Sequence, residues 1–208
     1  MRYRPFANPR DYRATLAAMR RFTQTRNPQT PDEIWQVAHR PVYTLGLAGK
    51  PEHLLNPGHI PVIRTDRGGQ VTYHGPGQVI LYPLVDLSRL KLGVRDFVWL
   101  LEQAVIDWLA EQQITASRHN NRPGVYVAGR KIAALGLKIR QGRCYHGLSF
   151  NRAMDLTPFS RINPCGYADL ATTDLISLDP DRCWPSQQAI GRDLADRIAQ
   201  RCGQTLCE

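Results

Sequence analysis

Apolar positions along the chain repeat with two periods. Residues 11 to 26 place Tyr12, Leu16, Met19 and Phe22 at helical spacing, and Pro28 and Pro31 close the segment. Residues 94 to 112 hold the strongest helical stripe, with Phe97, Leu100, Leu101, Ala104, Val105, Trp108 and Leu109 on one face. Ser186 to Cys202 predicts a third helix, with Ile190, Leu194 and Ile198 inward and Gly203 as its stop. Strands are predicted at Glu33–Ala38, Val42–Leu45, Pro61–Thr65, Val79–Val85, Gly124–Val127, Arg130–Ile139 and Cys144–Asn151. Gln141-Gly142 suits a hairpin between the last two. The order has no regular βαβ alternation. It predicts an α/β (α+β) fold with a mixed, largely antiparallel sheet covered by helices. No linker divides the chain, so one domain over residues 1–208 is expected.

Composition narrows the class. Hydrophobic residues are 42% and charged residues 22%, as in soluble globular proteins. No apolar run approaches the roughly 18 residues that span a bilayer. Met1-Arg-Tyr-Arg-Pro5 has no apolar segment behind it and does not read as a signal peptide, so a cytoplasmic location is expected and no membrane partner. Cysteines stand at 144, 165, 183, 202 and 207 without a C-x-x-C pair, which predicts reduced thiols and no metal site. The formal charge of +9 favours acidic partners. Charge alone does not choose between nucleic acid and an acidic protein, but no nucleic-acid signature accompanies it, so a nucleic-acid partner is not expected.

Four segments carry candidate chemistry. In Arg161-Ile-Asn-Pro-Cys-Gly-Tyr167 a cysteine sits between proline and glycine. Such a turn projects Cys165 outward and is expected to leave flanking N–H groups free for a ligand. The alternative is a buried structural thiol. In Arg130-Lys-Ile-Ala-Ala-Leu-Gly-Leu-Lys-Ile139, strand parity groups Lys131 with Ala133, Leu135, Leu137 and Ile139. Burial there would lower the lysine's pKa and suit it as a base. A lysine snorkelling at a strand end is the alternative, and a bulge at Gly136 would shift the register beyond it. Arg67-Gly-Gly-Gln-Val-Thr-Tyr-His-Gly-Pro-Gly-Gln78 is rich in glycine yet lacks phosphate-loop spacing. It either approaches a ligand or bends for its own geometry, and His74 is either a contact or a structural histidine. In Cys144-Tyr-His-Gly-Leu-Ser-Phe-Asn151 the interior Gly147 marks close approach by ligand or backbone, or a bulge. Cys144 and His146 share parity, although a mid-strand thiol usually packs as a small apolar group.

In this order, the Arg67–Gln78 loop, Lys131 with Ala134-Leu135-Gly136, Tyr145-His-Gly-Leu-Ser149 and Ile162-Asn-Pro-Cys-Gly-Tyr167 resemble the lipoyl(octanoyl) transferases. Thr30-Pro-Asp-Glu33, Gly49-Lys-Pro-Glu52 and Arg122-Pro-Gly-Val125 extend the likeness, which runs from about residue 30 to 170. Ser149 stands where many relatives carry alanine. The resemblance implies a fold like the biotin and lipoate protein ligase catalytic domains. It implies octanoyl transfer from acyl carrier protein to a lysine of a lipoyl domain, in 2-oxoacid dehydrogenase complexes and the glycine cleavage H protein. It implies Cys165 as acyl-accepting nucleophile and Lys131 as its base. Arg67, Gly68, Gly69, Gln70, Val71, Thr72, Tyr73, His74, Ala134, Leu135, Gly136, Gly147, Leu148 and Ser149 would then form the acyl pocket. No cofactor and no ATP are implied, because the acyl group arrives as a thioester on a phosphopantetheine arm. An ATP-dependent ligase on the same fold and a catalytically idle basic binding module are the competing expectations.

Overall fold

The computed structural model describes residues 1–168 and 170–207, with Cys165 described by its main chain alone. Among the described residues the strands are β1 (Arg2–Pro5), β2 (Glu33–Val37), β3 (Val42–Leu45), β4 (Val62–Arg64), β5 (Val71–His74), β6 (Gln78–Leu84), β7 (Ser117–Arg118), β8 (Val125–Val127), β9 (Arg130–Arg140) and β10 (Arg143–Asn151). The helices are α1 (Tyr12–Thr25), α2 (Leu87–Leu90), α3 (Val94–Glu111), α4 (Leu175–Leu178) and α5 (Gln187–Arg201).

A seven-stranded sheet runs β1-β2-β6-β10-β9-β8-β7, parallel between β1 and β2 and antiparallel elsewhere. A three-stranded sheet runs β4-β3-β5. The three predicted helices are α1, α3 and α5. Asp11 caps α1 by accepting from the Ala14 N–H at 2.8 Å, and Ser186 caps α5 by accepting from the Ala189 N–H at 3.1 Å. Between β9 and β10, Gln141 and Gly142 both take left-handed backbone (φ +50° and +75°), as a two-residue hairpin turn requires. The pattern missed β1, which has one buried position, and β7, which has two residues. It also missed β5, which lies inside the glycine-rich segment.

Both faces of the larger sheet are covered. Strand alternation sends Val79 and Leu81 of β6 toward α3 and α5, and Ile80, Tyr82 and Leu84 toward α1. Phe97, Leu101 and Trp108 of α3 join Ile190, Leu194 and Ile198 of α5 over Leu148 and Phe150 of β10. Trp108 meets Phe150 edge-on with centroids 5.6 Å apart. Tyr12, Leu16 and Met19 of α1 cover the opposite face. The β6–β10 ladder holds from Asn151↔Gln78 to Leu148↔Leu81, and the Cys144 N–H then donates to the Val85 carbonyl at 2.8 Å. In the gap stand Pro83, which has no N–H, and His146, whose φ is +61°. No helix among the described residues is long and apolar enough to cross a membrane.

Candidate active site

Register places small residues side by side on the α1 face of the larger sheet. Ala134 pairs with Ser149, Ser149 with Ile80, and Gly136 with Gly147. These positions leave a low floor, which rises at Ile80 and Tyr82 of β6. All of them line a cavity of about 390 Å³. Gly147 has no room for a side chain, because a Cβ would lie 2.1 Å from the Leu81 carbonyl oxygen. Its glycine therefore answers a backbone approach from β6. The roof is the 67–72 segment. The Gly68 N–H donates to the Leu137 carbonyl at 2.8 Å, and a Cβ at Gly136 would come 3.1 Å from the Gly68 oxygen. Arg67 braces this roof. Its guanidinium donates to Thr44 Oγ1 (3.1 and 2.9 Å), to the Gln70 carbonyl (2.7 Å) and to the Gly68 carbonyl (2.9 Å).

The predicted pocket residues Arg67, Gly68, Gly69, Gln70, Val71, Thr72, His74, Ala134, Leu135, Gly136, Gly147, Leu148 and Ser149 all line this cavity. Tyr73 does not. Alternation along β5 turns Thr72 and His74 to the cavity and Tyr73 into a cluster with Tyr43 and Phe159, where it meets Phe159 edge-on at 5.6 Å.

Lys131 reaches the cavity by a route that parity did not anticipate. Val125 pairs with Ala133 while Tyr126 pairs with Lys131, so Ile132 is an extra residue in β9. This bulge turns both Ile132 and Ala133 into the main core and leaves Lys131 facing the cavity with Ala134. The expected grouping of Lys131 with Ala133 is thus corrected, and the bulge falls at Ile132, not Gly136. Lys131 is 3% exposed. Its Nζ donates to the Pro123 carbonyl at 2.9 Å and lies 5.2 Å from the Tyr126 ring centroid. Gly124 packs against the lysine stem with φ +141°, and a Cβ there would sit 2.9 Å from Lys131 Cε. The Gly124 N–H donates to Glu102 Oε1 at 2.7 Å, and Arg118 Nε donates to Glu102 Oε2 at 3.1 Å. Burial raises the Glu102 pKa, with Gly124, Arg118 and Lys131 opposing it.

Cys165 stands in a short 3-10 turn, Pro164–Gly166, and its side chain lies outside the described residues. Two residues of this segment border space shared with the lysine. Pro164 shares a small crevice with Lys131, Ala134, Ser149 and Thr172, and Tyr167 lines the main cavity. The chain beyond the turn then runs beside β9: the Lys131 N–H donates to the Ala171 carbonyl at 2.9 Å, and the Thr173 N–H to the Lys131 carbonyl at 3.0 Å. One expectation fails here. The Gly166 and Tyr167 N–H groups are not free, since they close the turn on the Asn163 (2.9 Å) and Pro164 (3.1 Å) carbonyls.

The histidines are held by side chains. His74 Nδ1 bonds Gln78 Oε1 at 2.9 Å, and burial lowers its pKa to about 3. His146 Nε2 meets Asp66 Oδ1 at 2.9 Å, and burial again lowers the histidine. Burial acts to raise Asp66, but hydrogen bonds from His146, Tyr145 and Arg20 outweigh it and hold that carboxyl well below the usual range. The left-handed residue at 146 breaks strand alternation. Cys144 therefore packs in the main core, where burial raises its thiol, while His146 borders the cavity. Their shared parity does not make them a catalytic pair. Among the described residues no three potential metal ligands cluster. Sequence reasoning missed Tyr12, Ile80 and Tyr82 as lining residues. It also missed Glu102, whose signal was a carboxylate set within an apolar helical stripe.

This architecture is that of a lipoyl protein ligase A/B catalytic domain, whose family model matches residues 11–183. A solved lipoate-protein ligase A bound with ATP superposes with a TM-score of 0.80 at 14% identity, covering 100% of this chain and 87% of that one. Biotin protein ligase from Aquifex aeolicus superposes at 0.54 with 12% identity, covering 98% of this chain and 69% of that one. At such identities the likeness shows the fold. Sequence is closer to the octanoyltransferase of Xanthomonas campestris, 57% identical over 196 residues, 94% of this chain and 83% of the relative. The chain belongs to the octanoyltransferase family.

Proposed function

We propose that this octanoyltransferase takes the acyl group from octanoyl-acyl carrier protein onto Cys165 and passes it to a lysine of a lipoyl domain, with Lys131 moving the protons. The observation that carries the proposal is convergence. Lys131 borders both the crevice at Pro164 and the cavity at Tyr167, and the cavity floor is built from Ala134, Gly136, Gly147 and Ser149. A groove of that kind accepts an alkyl chain.

The Cys165 thiolate attacks the thioester carbonyl, the carbon–sulfur bond to the carrier breaks, and the carrier's thiolate takes a proton from Lys131. Thiol-to-thioester exchange is nearly thermoneutral, so no ATP is needed. The acceptor amine then attacks the acyl-enzyme, Lys131 accepts its proton, the carbon–sulfur bond to Cys165 breaks to return the thiolate, and an amide forms downhill. The Pro123 carbonyl and the Tyr126 ring face both suit an ammonium, which favours a resting thiolate–ammonium pair over a resting neutral amine.

Intact-protein mass spectrometry tests the nucleophile. Incubation with octanoyl-acyl carrier protein should add one octanoyl group, and a lipoyl domain should remove it without ATP. Cys165→Ser should show no adduct. An adduct persisting in that variant would refute the assignment, and transfer that required ATP would favour the ligase chemistry.

A further inference from the structure

The peptide group that joins Pro123 to Gly124 is held from both sides. Its carbonyl accepts from Lys131 Nζ at 2.9 Å, and its N–H donates to Glu102 Oε1 at 2.7 Å. Glu102 comes from α3, is 5% exposed, and is itself fixed by Arg118 Nε at 3.1 Å. Arg118 in turn donates to the Trp99 carbonyl at 3.1 Å and to Gln103 Oε1 at 2.6 Å, both also on α3. Nothing in the transfer chemistry above uses this carboxylate.

We infer that Glu102 is a positioning residue for Lys131, acting through the Pro123–Gly124 peptide. The inference rests on the proposed role of Lys131. A peptide whose N–H is bonded to a carboxylate becomes a stronger acceptor at its carbonyl, because the two bonds polarise one another. The carboxylate therefore does two things for the amine. It fixes the carbonyl that Nζ must meet, and it places a negative charge one peptide away from an ammonium. Gly124 is what allows the approach, since its φ of +141° with no Cβ lets the stem of Lys131 lie against the backbone. A group that gives a proton in one half-reaction and takes one in the next needs a fixed direction in both, and this clamp does not depend on whether the cysteine is acylated.

The test combines kinetics with a direct view of the Gly124 amide. Bonded to a carboxylate, its proton should resonate downfield and exchange slowly in the intact protein. Glu102→Ala should abolish both properties. It should lower kcat for octanoyl transfer from carrier protein about 10- to 100-fold, as expected when a reacting group is misplaced by about an ångström. KM should change little, because the carboxylate is not part of the acyl-binding wall. Glu102→Gln keeps an oxygen for the Gly124 N–H and should recover most of the loss, to within about fivefold of the parent. Glu102→Asp keeps the charge but withdraws it by one methylene, and should fall with alanine. This milder pair keeps the test available if the alanine variant does not fold. An undisturbed Gly124 amide in Glu102→Ala would overturn the inference. So would a disturbed amide with kcat within about threefold of the parent, or full activity in Glu102→Asp. Lys131→Ala, measured alongside, separates the two claims. Near-normal turnover there would sink the role of Lys131, whatever Glu102 does.

Discussion

The two ends of the cavity secure buried polar side chains by opposite means. Near β8, Lys131 meets a carbonyl and a ring face, with a carboxylate one peptide beyond. Each of these three groups supports a positive charge. Over β6, the lining side chains Tyr12, His74, Tyr82 and His146 lack charge, and the Arg67 guanidinium beside them is directed to Thr44, Gly68 and Gln70. Burial lowers His74 and His146, and also His39 behind them, whose Nε2 bonds the Tyr82 hydroxyl at 2.9 Å. Desolvation acts at both ends, and the partners decide the outcome. On the proposed function, the end that moves protons is given acceptors for a cation. On the same reading, the end that buries methylenes is lined by imidazole and phenol groups that burial keeps neutral at working pH.

The sharpest way to break this contrast is to exchange the demands on the two ends. Lys131→Ala should keep its fold but lose about a thousandfold in transfer rate, the range expected for a positioned acid–base group. His74→Phe, at the opposite end, should leave the rate of chemistry within about tenfold, since no proton in the reaction is assigned to it. Single-turnover acylation monitored by mass spectrometry measures both. A comparable loss in the two variants would mean that the ends are not functionally distinct.

Stability against pH gives a second test. A histidine whose folded pKa is depressed contributes fully above its unfolded value near 6.5, and that contribution falls as pH drops toward the folded value. For His74 the window runs from about 6.5 down to about 3. His39 and His146 shift in the same direction. Urea midpoints should therefore fall steadily below about pH 6.5, each buried histidine contributing up to about 1.4 kcal/mol per pH unit. His74→Phe should flatten that slope. An unchanged slope would show that His74 takes up no proton on unfolding.

On the proposed function, what closes the floor sets the length of acyl chain accepted. Ile80 stands across β10 from Ala134 and is fully buried. Ile80→Ala should extend the groove and shift the ratio of kcat/KM for decanoyl over octanoyl donors upward by about tenfold, the scale of one or two methylenes in an apolar pocket. A parallel loss for both donors would indicate collapse of the site.

How far these features were legible in the sequence depended on their scale. Helices α1, α3 and α5 came directly from period, and the β9–β10 hairpin from Gln141-Gly142. The cavity wall was readable from motifs because its members are runs of adjacent residues on a few strands. Fine orientation was not. One extra residue, Ile132, reversed the face on which Lys131 lies, and nothing in Arg130-Lys-Ile-Ala marks that position. The left-handed backbone at His146 likewise separated Cys144 from a partner that parity had given it. The Cys165 turn was expected to offer free N–H groups, yet a 3-10 turn consumes those of Gly166 and Tyr167 in its own closure. Glu102 stood out only as a carboxylate in an apolar helical stripe, and its link to Lys131 was hidden because it runs through the Gly124 backbone amide, which leaves no mark on side-chain spacing.

The smallest expected effect concerns the outside of the same cavity. Its lysine end carries Arg122 over the Tyr167 ring at 3.8 Å, and the chain as a whole bears +9. A positive surface speeds encounter with an acidic carrier, and exposed charges are screened over about 8 Å at physiological ionic strength. Raising salt should therefore lower kcat/KM for carrier-borne octanoate several-fold while leaving kcat nearly constant. A neutral short-chain octanoyl thioester supplies the contrast. It uses the same two ends of the cavity but needs no electrostatic steering, so its kcat/KM should barely respond. Equal salt sensitivity for both donors would place the effect inside the site, at Lys131 and its partners, and would remove the surface charge from the account.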